Sequence, residues 1–477
     1  MHNRVHPKNH EINMTEGKIF GKLIKYALPL VGTNLLQVLF NATDVAILGV
    51  LVNERAVGAV GSTGSLINLI LAIFLGLSTG ANVVVSRAMG ANCKEDAHKA
   101  VGTSISIALV SGFILMLIGI TCSRFFLGLM GTTSEFIDDA TKYMTIYFIG
   151  VPIMMLYNFI ASILRAVGDT FRPLMYLMIG GIINVGLNVF CILVLNLTVE
   201  GVAIATVASQ CVSVVLSLIA LFKSKGFAQL KLKYIRFFKK QFKLIITIGL
   251  PAGIQGALFN ISNVLIQSNI NAFGWKTVSG NTASAQFDGM VYTTGNAIAL
   301  ACMAFVSQNY GAGKVDRIKK SFWLSVLLVS IVQFSIGFIF ILFADILLGI
   351  MANDPEVLEY AKIRLSIMSI TYFICGIMEC FSYSMRALGK SVTAMIISLI
   401  GACGFRILWV KTIFLLNPTR AMLYFAWPIS WGLTVCMYCF FFFPQIKKIG
   451  NRMPLKIPPK QIQAGHLPPK QRDVVKR

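Results

Sequence analysis

Ser86-Arg87-Ala88-Met89-Gly90-Ala91 returns as Ser307-Gln308-Asn309-Tyr310-Gly311-Ala312, and Leu164-Arg165-Ala166-Val167-Gly168 returns as Met385-Arg386-Ala387-Leu388-Gly389. Both pairs are displaced by the same 221 positions. A single match of this length would carry little weight. Two at one offset make the chain a duplicated half. A third pair, Leu28-Pro29 and Leu250-Pro251, falls one residue off that offset.

The duplication is written in a membrane composition. Of 477 residues, 56% are hydrophobic and only 13% charged, with a mean hydropathy of +0.74. A soluble protein of this length needs far more polar surface. Apolar stretches of the ~20 residues that a bilayer crossing requires are predicted at 24–50, 56–82, 99–121, 143–164, 174–196, 201–222, 244–271, 283–306, 321–344, 363–385, 393–416 and 423–444. The expected fold class is an all-α polytopic membrane protein. Its twelve transmembrane helices form two six-helix bundles related by a pseudo-two-fold along the membrane normal, because an even number of spans per half orients both halves alike. A path for substrate is expected between the bundles. The expected boundaries are a cytoplasmic N-terminal segment at 1–22, a first bundle at 23–222, a basic linker at 223–243, a second bundle at 244–446 and a tail at 447–477. The tail is basic and Pro-rich and is expected to be disordered. Met1 to Glu16 is polar, and the first apolar stretch is too long for a secretory signal and lacks a small-residue cleavage site. It reads as the first span.

The net charge of +23 is a matter of topology rather than of nucleic acid. If the N-terminus is cytoplasmic, the inner segments hold 33 of the 42 Lys and Arg. The outer connections hold only Arg55, Arg124, Lys142, Lys276, Lys362, Arg364, Lys411 and Arg420. The excess of inner positive charge places both termini in the cytoplasm, with the cell (plasma or inner) membrane as the expected location. The basic run from Lys223 to Lys243 is expected to lie on anionic lipid headgroups; no nucleic-acid partner is expected.

The ten cysteines sit mostly inside spans without paired spacing, which argues for apolar packing rather than a disulfide framework. The five histidines lie in tails or an inner loop, so no intramembrane haem, zinc or histidine catalysis is expected. A membrane enzyme would need an intramembrane nucleophile–base constellation, and none is visible. Gly389-Lys390-Ser391 lacks the leading Gly of a phosphate loop and follows a span, not a strand. No soluble domain is large enough for a nucleotide-hydrolysing engine, so energy must come from an ion gradient, or the path is passive. No cofactor and no catalytic residue are expected, and the chain is expected to act as a monomer.

Charges within spans cost ~2.5 kcal/mol or more and are functional candidates by default. Three acids, Asp44, Asp288 and Glu379, and one base, Arg406, fall there. Asp44 follows Asn41-Ala42-Thr43, a polar run that suggests a hydrated or ion-binding pocket. A carboxyl there can carry a proton, and bound sodium would instead keep it ionised. Asn184 and Asn188 share a face of span five, and Thr206 lies in span six. Their oxygens suit a hard monovalent cation, although Asn pairs also join helices. Asp288 lies near the outer end of span eight and reads as a solvated acid or a second proton site. Glu379 reads as a partner for a cationic substrate or a proton, or as a snorkelling acid. Arg406 would neutralise a buried acid or contact carbonyls. With Gln37, Asn41, Gln255 and Asn260, these three make up the expected substrate or second proton site. Pro29 and Pro251 each free a carbonyl in the first span of their half and are the expected hinges. Asn353-Asp354-Pro355-Glu356 and Thr132-Thr133-Ser134-Glu135 read as helix N-caps.

Together these residues resemble a family. Two six-span halves, the Pro of spans one and seven, Asn41-Ala42-Thr43-Asp44-Val45-Ala46-Ile47-Leu48-Gly49 and Gly201-Val202-Ala203-Ile204-Ala205-Thr206 look like a multidrug and toxic compound extrusion (MATE) antiporter. Ser307-Gln308-Asn309-Tyr310-Gly311-Ala312 and Leu164-Arg165-Ala166-Val167-Gly168-Asp169 fit as well, and the resemblance covers about residues 15–446. It implies two bundles in a V around a central cavity. It also implies export of small organic, often cationic, compounds by alternating access in exchange for H+ or Na+. The family's first-half cation site would map onto Asp44, Asn184, Asn188 and Thr206, where Na+ is the candidate metal. Many members carry Asp at the position of Asn188, and its loss shifts weight toward a lone Asp44 protonation switch. Some members carry a span-seven acid that Gly256-Ala257-Leu258-Phe259-Asn260 lacks, so a second-half site must rely on Glu379 or Asp288. The alternative within the wider superfamily is a lipid-linked precursor flippase, which would line its cavity with several Arg or Lys for the pyrophosphate. With only Arg406 inside a span, that reading is disfavoured.

Overall fold

The computed structural model describes residues 11–130, 137–351 and 354–452. Among these no strand occurs, and twelve helical spans are long and apolar enough to cross a membrane. In the first half they are α1 (Ile19–Leu51), α2 (Glu54–Gly90), α3 (Lys94–Leu129), α4 (Ile137–Ala166), α5 (Phe171–Leu193) and α6 (Val199–Lys223). The second half has α7 (Lys239–Asn271), α8 (Trp275–Gly311), α9 (Val315–Leu342), the short α10 (Ala344–Gly349) and α11 (Pro355–Ala387). It closes with a broken span made of α12 (Ser391–Ser398), a π turn at Leu399–Gly404, α13 (Phe405–Lys411) and α14 (Ile413–Leu416), and then α15 (Arg420–Arg452). The tail and the Thr132–Glu135 cap lie outside the described residues. The second expected cap forms on Asp354, whose carboxylate accepts from Glu356 N at 2.9 Å with Pro355 in the first turn.

The duplication is visible in the packing. In the first half α2, α3 and α6 pack on α4, α5 packs on α6, and α1 packs on α5. The mates repeat this: α8, α9 and α15 pack on α11, while the broken span packs on α7 and α15.

All four repeated motifs turn out to be helix C-caps. At the ends of α4 and α11, Gly168 and Gly389 adopt left-handed φ of 90° and 79°. Asp169 N then reaches back to Leu164 O at 2.9 Å, and Lys390 N to Met385 O at 2.8 Å. These are paired Schellman motifs, in which a left-handed residue lets the chain satisfy the last carbonyls of the helix. α2 and α8 end likewise, with Cys93 N bonded to Ala88 O at 3.0 Å and Lys314 N to Asn309 O at 2.9 Å. The left-handed residues there are Asn92 and Gly313.

These ends meet across the two halves. Arg87 donates from Nε and Nη2 to Ala387 O at 3.0 and 2.7 Å. Its repeat mate Gln308 donates from Nε2 to Ala166 O at 2.8 Å. Ala166 and Ala387 are themselves mates and are the last residues of α4 and α11. Each half thus caps a helix end of the other, filling carbonyls that a helix leaves unpaired. The crossing point is Gly90 against Gln308 and Gly311 against Arg87, so close that a Cβ on either glycine would strike the opposing backbone. The chain before α1 adds a strap on one side only. Met14 N donates to Gln308 Oε1 at 3.1 Å, and Arg317 Nη2 and Lys314 Nζ donate to Met14 O and Thr15 O.

Elsewhere the two-fold is broken. α2 lies against α7 with Gly76 and Gly80 meeting Gly249 and Gly253, backbone on backbone. The mate contact, α1 on α8, has no such seam. Only 6% of the apolar window of α1 is buried, against 44% for α7. Pro29 is half-buried in α1, and Pro251 is buried in α7.

Candidate functional site

The first-half residues singled out from sequence come together. Asn184 and Asn188 sit one turn apart on α5, and α1 and α6 bring Asp44 and Thr206 to them. Asn188 Nδ2 donates to Asp44 Oδ1 at 2.6 Å and to Asn184 Oδ1 at 3.3 Å. Asn184 Nδ2 donates to Thr206 Oγ1 at 3.4 Å, and that hydroxyl donates to Val202 O at 2.9 Å. The result is one hydrogen-bonded line running from a lone carboxylate to a helix carbonyl. Both Asn side chains are buried, and Asn188 Oδ1 has no hydrogen-bond partner among the described residues. A buried amide oxygen without a donor costs about 1–3 kcal/mol. Oxygens from Asp44, Asn184, Asn188 and Thr206 form a set that a monovalent cation or a proton with water could use. Among the described residues no group of three or more His, Cys, Asp or Glu side chains is placed to hold a metal ion. Gln37 and Asn41, expected at a substrate site, stay exposed on α1 and line neither this cluster nor the cavity below.

A cavity of about 510 Å³ is lined mostly by second-half helices and on one side by Ala72, Leu75, Gly76 and Thr79 of α2. Gln255, Asn260, Asp288, Glu379 and Arg406 all line it. Two sequence readings need correction. Asp288 is not solvated. It is 1% exposed and ion-paired to Arg364 Nε at 2.9 Å, with Ser369 Oγ donating to its other oxygen at 3.2 Å. Arg364 is therefore no outer-connection base. Its Nη1 also donates to Asn281 Oδ1 at 2.7 Å. Nor is Arg406 the lone intramembrane base, because Arg364, Arg386 and Arg406 all line the cavity. Both bases stand at the edges of the expected span 363–385, where Arg364 reads as outer and Arg386 as inner, whereas α11 runs 33 residues, Pro355–Ala387, and contains both. The argument against a flippase from a shortage of arginines falls with this.

Among the described residues Arg406 pairs with no acid. Its Nε donates to Ser430 Oγ at 3.1 Å and its Nη1 to Asn263 Oδ1 at 3.2 Å, with Phe259 and Trp427 rings 5.9 and 5.8 Å from the guanidinium carbon. The π turn at Leu399–Gly404 stands immediately before it. Such turns are frequent at functional sites because they re-aim the side chains that follow. Sequence reasoning missed the aromatic wall, chiefly Tyr292, Tyr372, Tyr383, Trp427 and Trp431. In a chain with 34 Phe, 13 Tyr and 5 Trp nothing local marks those that face a cavity.

Twelve spans, a duplicated clasp and polar residues buried among apolar helices fit a membrane transporter. A MatE family model matches residues 29–190 and again 251–410, once per half; the chain belongs to the MATE family of multidrug efflux transporters. It is 26% identical over 389 residues to the probable multidrug resistance protein YoeA of Bacillus subtilis (strain 168), covering 80% of this chain and 84% of that one. It is 23% identical to the multidrug export protein MepA of Staphylococcus haemolyticus (strain JCSC1435), covering 92% of this chain and 95% of that one. The fold matches a solved MATE multidrug resistance transporter in an outward-facing conformation with a TM-score of 0.85 and 18% identity, over 94% of this chain and 100% of the other.

Proposed function

We propose that this protein is a secondary exporter of small organic compounds, driven by H+ or Na+ entering through the first half and working by alternating access. The observation that carries the reading is the line from Asp44 through Asn188 and Asn184 to Thr206. It puts the one acid of α1 in contact with α5, with a buried acceptor beside it. When Asp44 is charged, the Asn188 amide solvates it with a hydrogen bond but brings no counter-charge. A proton removes the charge, and a sodium ion would draw the oxygens of both Asn side chains and Thr206 toward itself. Either event changes how α1 is held to α5. Because α1 is the loosely packed member of its repeat pair and contains Pro29, the response is expected as a bend of α1 rather than of α7.

Alternating access needs an end that opens. The positive-inside rule makes the basic end cytoplasmic, and that is the end closed by Arg87–Ala387 and Gln308–Ala166. The present arrangement is then closed to the cytoplasm, and transport requires the clasp to part. Both termini would face the cytoplasm of the cell membrane, and the Lys223–Lys243 segment would rest on anionic lipid as an aid to orientation.

The test is export of ethidium from proteoliposomes under an imposed pH gradient and, separately, a sodium gradient. Wild type is expected to export under at least one of them, and Asp44→Asn under neither. Transport by Asp44→Asn at the wild-type rate would refute the assignment.

A further inference from the structure

We infer that the arginine-lined cavity recognises aromatic organic acids, taking anionic groups of the ligand, carboxylate or phosphate, on Arg406 and on Arg386 while aromatic walls hold the body of the molecule. This rests on the exporter reading and names a substrate class for it. Charge accounting inside the cavity leads there. Of its two acids, Asp288 is spent on Arg364 at 2.9 Å. That leaves Glu379 against two guanidiniums, Arg386 and Arg406, neither of which makes an ion pair among the described residues. Both are more than nine-tenths buried, at 6% and 3% exposed. Buried charge without a counter-charge is costly, and a fold keeps it only where something else supplies the compensation.

The polar atoms point the same way. Arg386 Nε is buried and has no hydrogen-bond partner among the described residues, and the guanidinium lies 4.7 Å over the Tyr383 ring. The partners of Arg406 are a hydroxyl and an amide, both neutral, so its full charge is left for a ligand. A guanidinium presents a planar fork that fits carboxylate or phosphate oxygens two at a time. Tyr292, Tyr372 and Trp431 add flat apolar surface to the same wall. Glu379 fits into this scheme as an acceptor for a hydroxyl or amine on the same ligand. A purely cationic compound would find one free acid and two opposing cations here.

Purified protein in nanodiscs, titrated with carboxyfluorescein and with ethidium and read by fluorescence anisotropy, tests this. Wild type is expected to bind carboxyfluorescein. Arg406→Gln and Arg386→Gln are each expected to weaken that binding tenfold or more, with ethidium bound as tightly or tighter. If one variant fails to fold, judged by its melting temperature, the other carries the test. Displacement of the dye by soluble naphthoate, and not by a prenyl phosphate in mixed micelles, would assign the site to soluble acids. Three results overturn the proposal: ethidium binding without carboxyfluorescein binding, equal loss of both dyes in the variants, or displacement by the prenyl phosphate alone. Binding needs no gradient. A protein that binds carboxyfluorescein in this pattern yet exports nothing would sink the exporter reading and leave this one standing.

Discussion

At its basic end the molecule is two copies of one half; in mid-span the copies have almost nothing in common. Arg87 and Gln308, Ala166 and Ala387, Gly90 and Gly311, Gly168 and Gly389 are all repeat mates in matching geometry. At the same offset Asp44, Asn184, Asn188 and Thr206 stand opposite Leu265, Phe405, Trp409 and Trp427. Asp288 and Arg364 stand opposite Ile67 and Tyr143. The difference teaches which parts of a duplicated transporter are constrained to stay alike. Ends that must close on each other across a pseudo-two-fold need self-complementary surfaces, because each contact is made twice with roles exchanged. The polar sites are built chiefly from the helices of one half and are free to diverge, although α2 of the first half also walls the cavity of the second.

Breaking an element found in only one half is expected to have the largest effect on stability. Arg364→Met leaves Asp288 buried and unpaired, which costs about 3–5 kcal/mol, whereas replacing both partners is far milder. Thermal unfolding should show a large loss for Arg364→Met and substantial recovery in Asp288→Asn/Arg364→Met. Equal melting temperatures for all three proteins would mean that the pair is not load-carrying in the second half. The clasp comes next and tests the shared end. Arg87→Ala removes two charge-assisted bonds, at about 1.5–3 kcal/mol each, and Gln308→Ala one neutral bond at about 1 kcal/mol. Spin labels at Lys94 and Lys390, both exposed, should report a longer inter-half distance in both variants and more of it in Arg87→Ala. No change in either would remove the clasp from the transport cycle. The smallest effect concerns the first helices of the two halves. Pro29→Ala should slow ethidium export severalfold with little loss of stability, because α1 has room to move. Pro251→Ala should act on melting temperature instead, since α7 is seamed to α2. Equal transport defects would make the two helices equivalent after all.

Much of this was legible in the sequence. The 221-residue offset, the span lengths and the charge distribution gave twelve spans in two like-oriented halves. Asp44, Asn184, Asn188 and Thr206 could be grouped because an acid in hydrocarbon and an i, i+4 amide pair are visible without coordinates, and the family resemblance joined them. The Asp288–Arg364 pair was not legible. A helix may extend well past the hydrocarbon thickness, so a base near the end of an apolar stretch looks exposed whether or not it folds back onto a buried acid. The motifs announced duplication, but their sequence did not announce that Arg87 would reach a carbonyl of the other half. That contact depends on how two bundles meet, which no local pattern encodes. The aromatic lining was hidden for a third reason: elsewhere in the chain the same residue types serve both as buried core and as outward-facing surface.

The central claim is a division of labour, with ion coupling in the first half and substrate in the second. Linkage makes it measurable at equilibrium, because an ion that drives antiport must weaken substrate binding and be weakened by it. The direct test is the affinity of purified protein for its bound dye as pH is lowered or sodium is raised. Wild type should lose affinity with one of the two ions, and Asp44→Asn should bind the dye with near-wild-type strength and ignore both. An ion dependence that survives in Asp44→Asn, or loss of dye binding in that variant, would contradict the account.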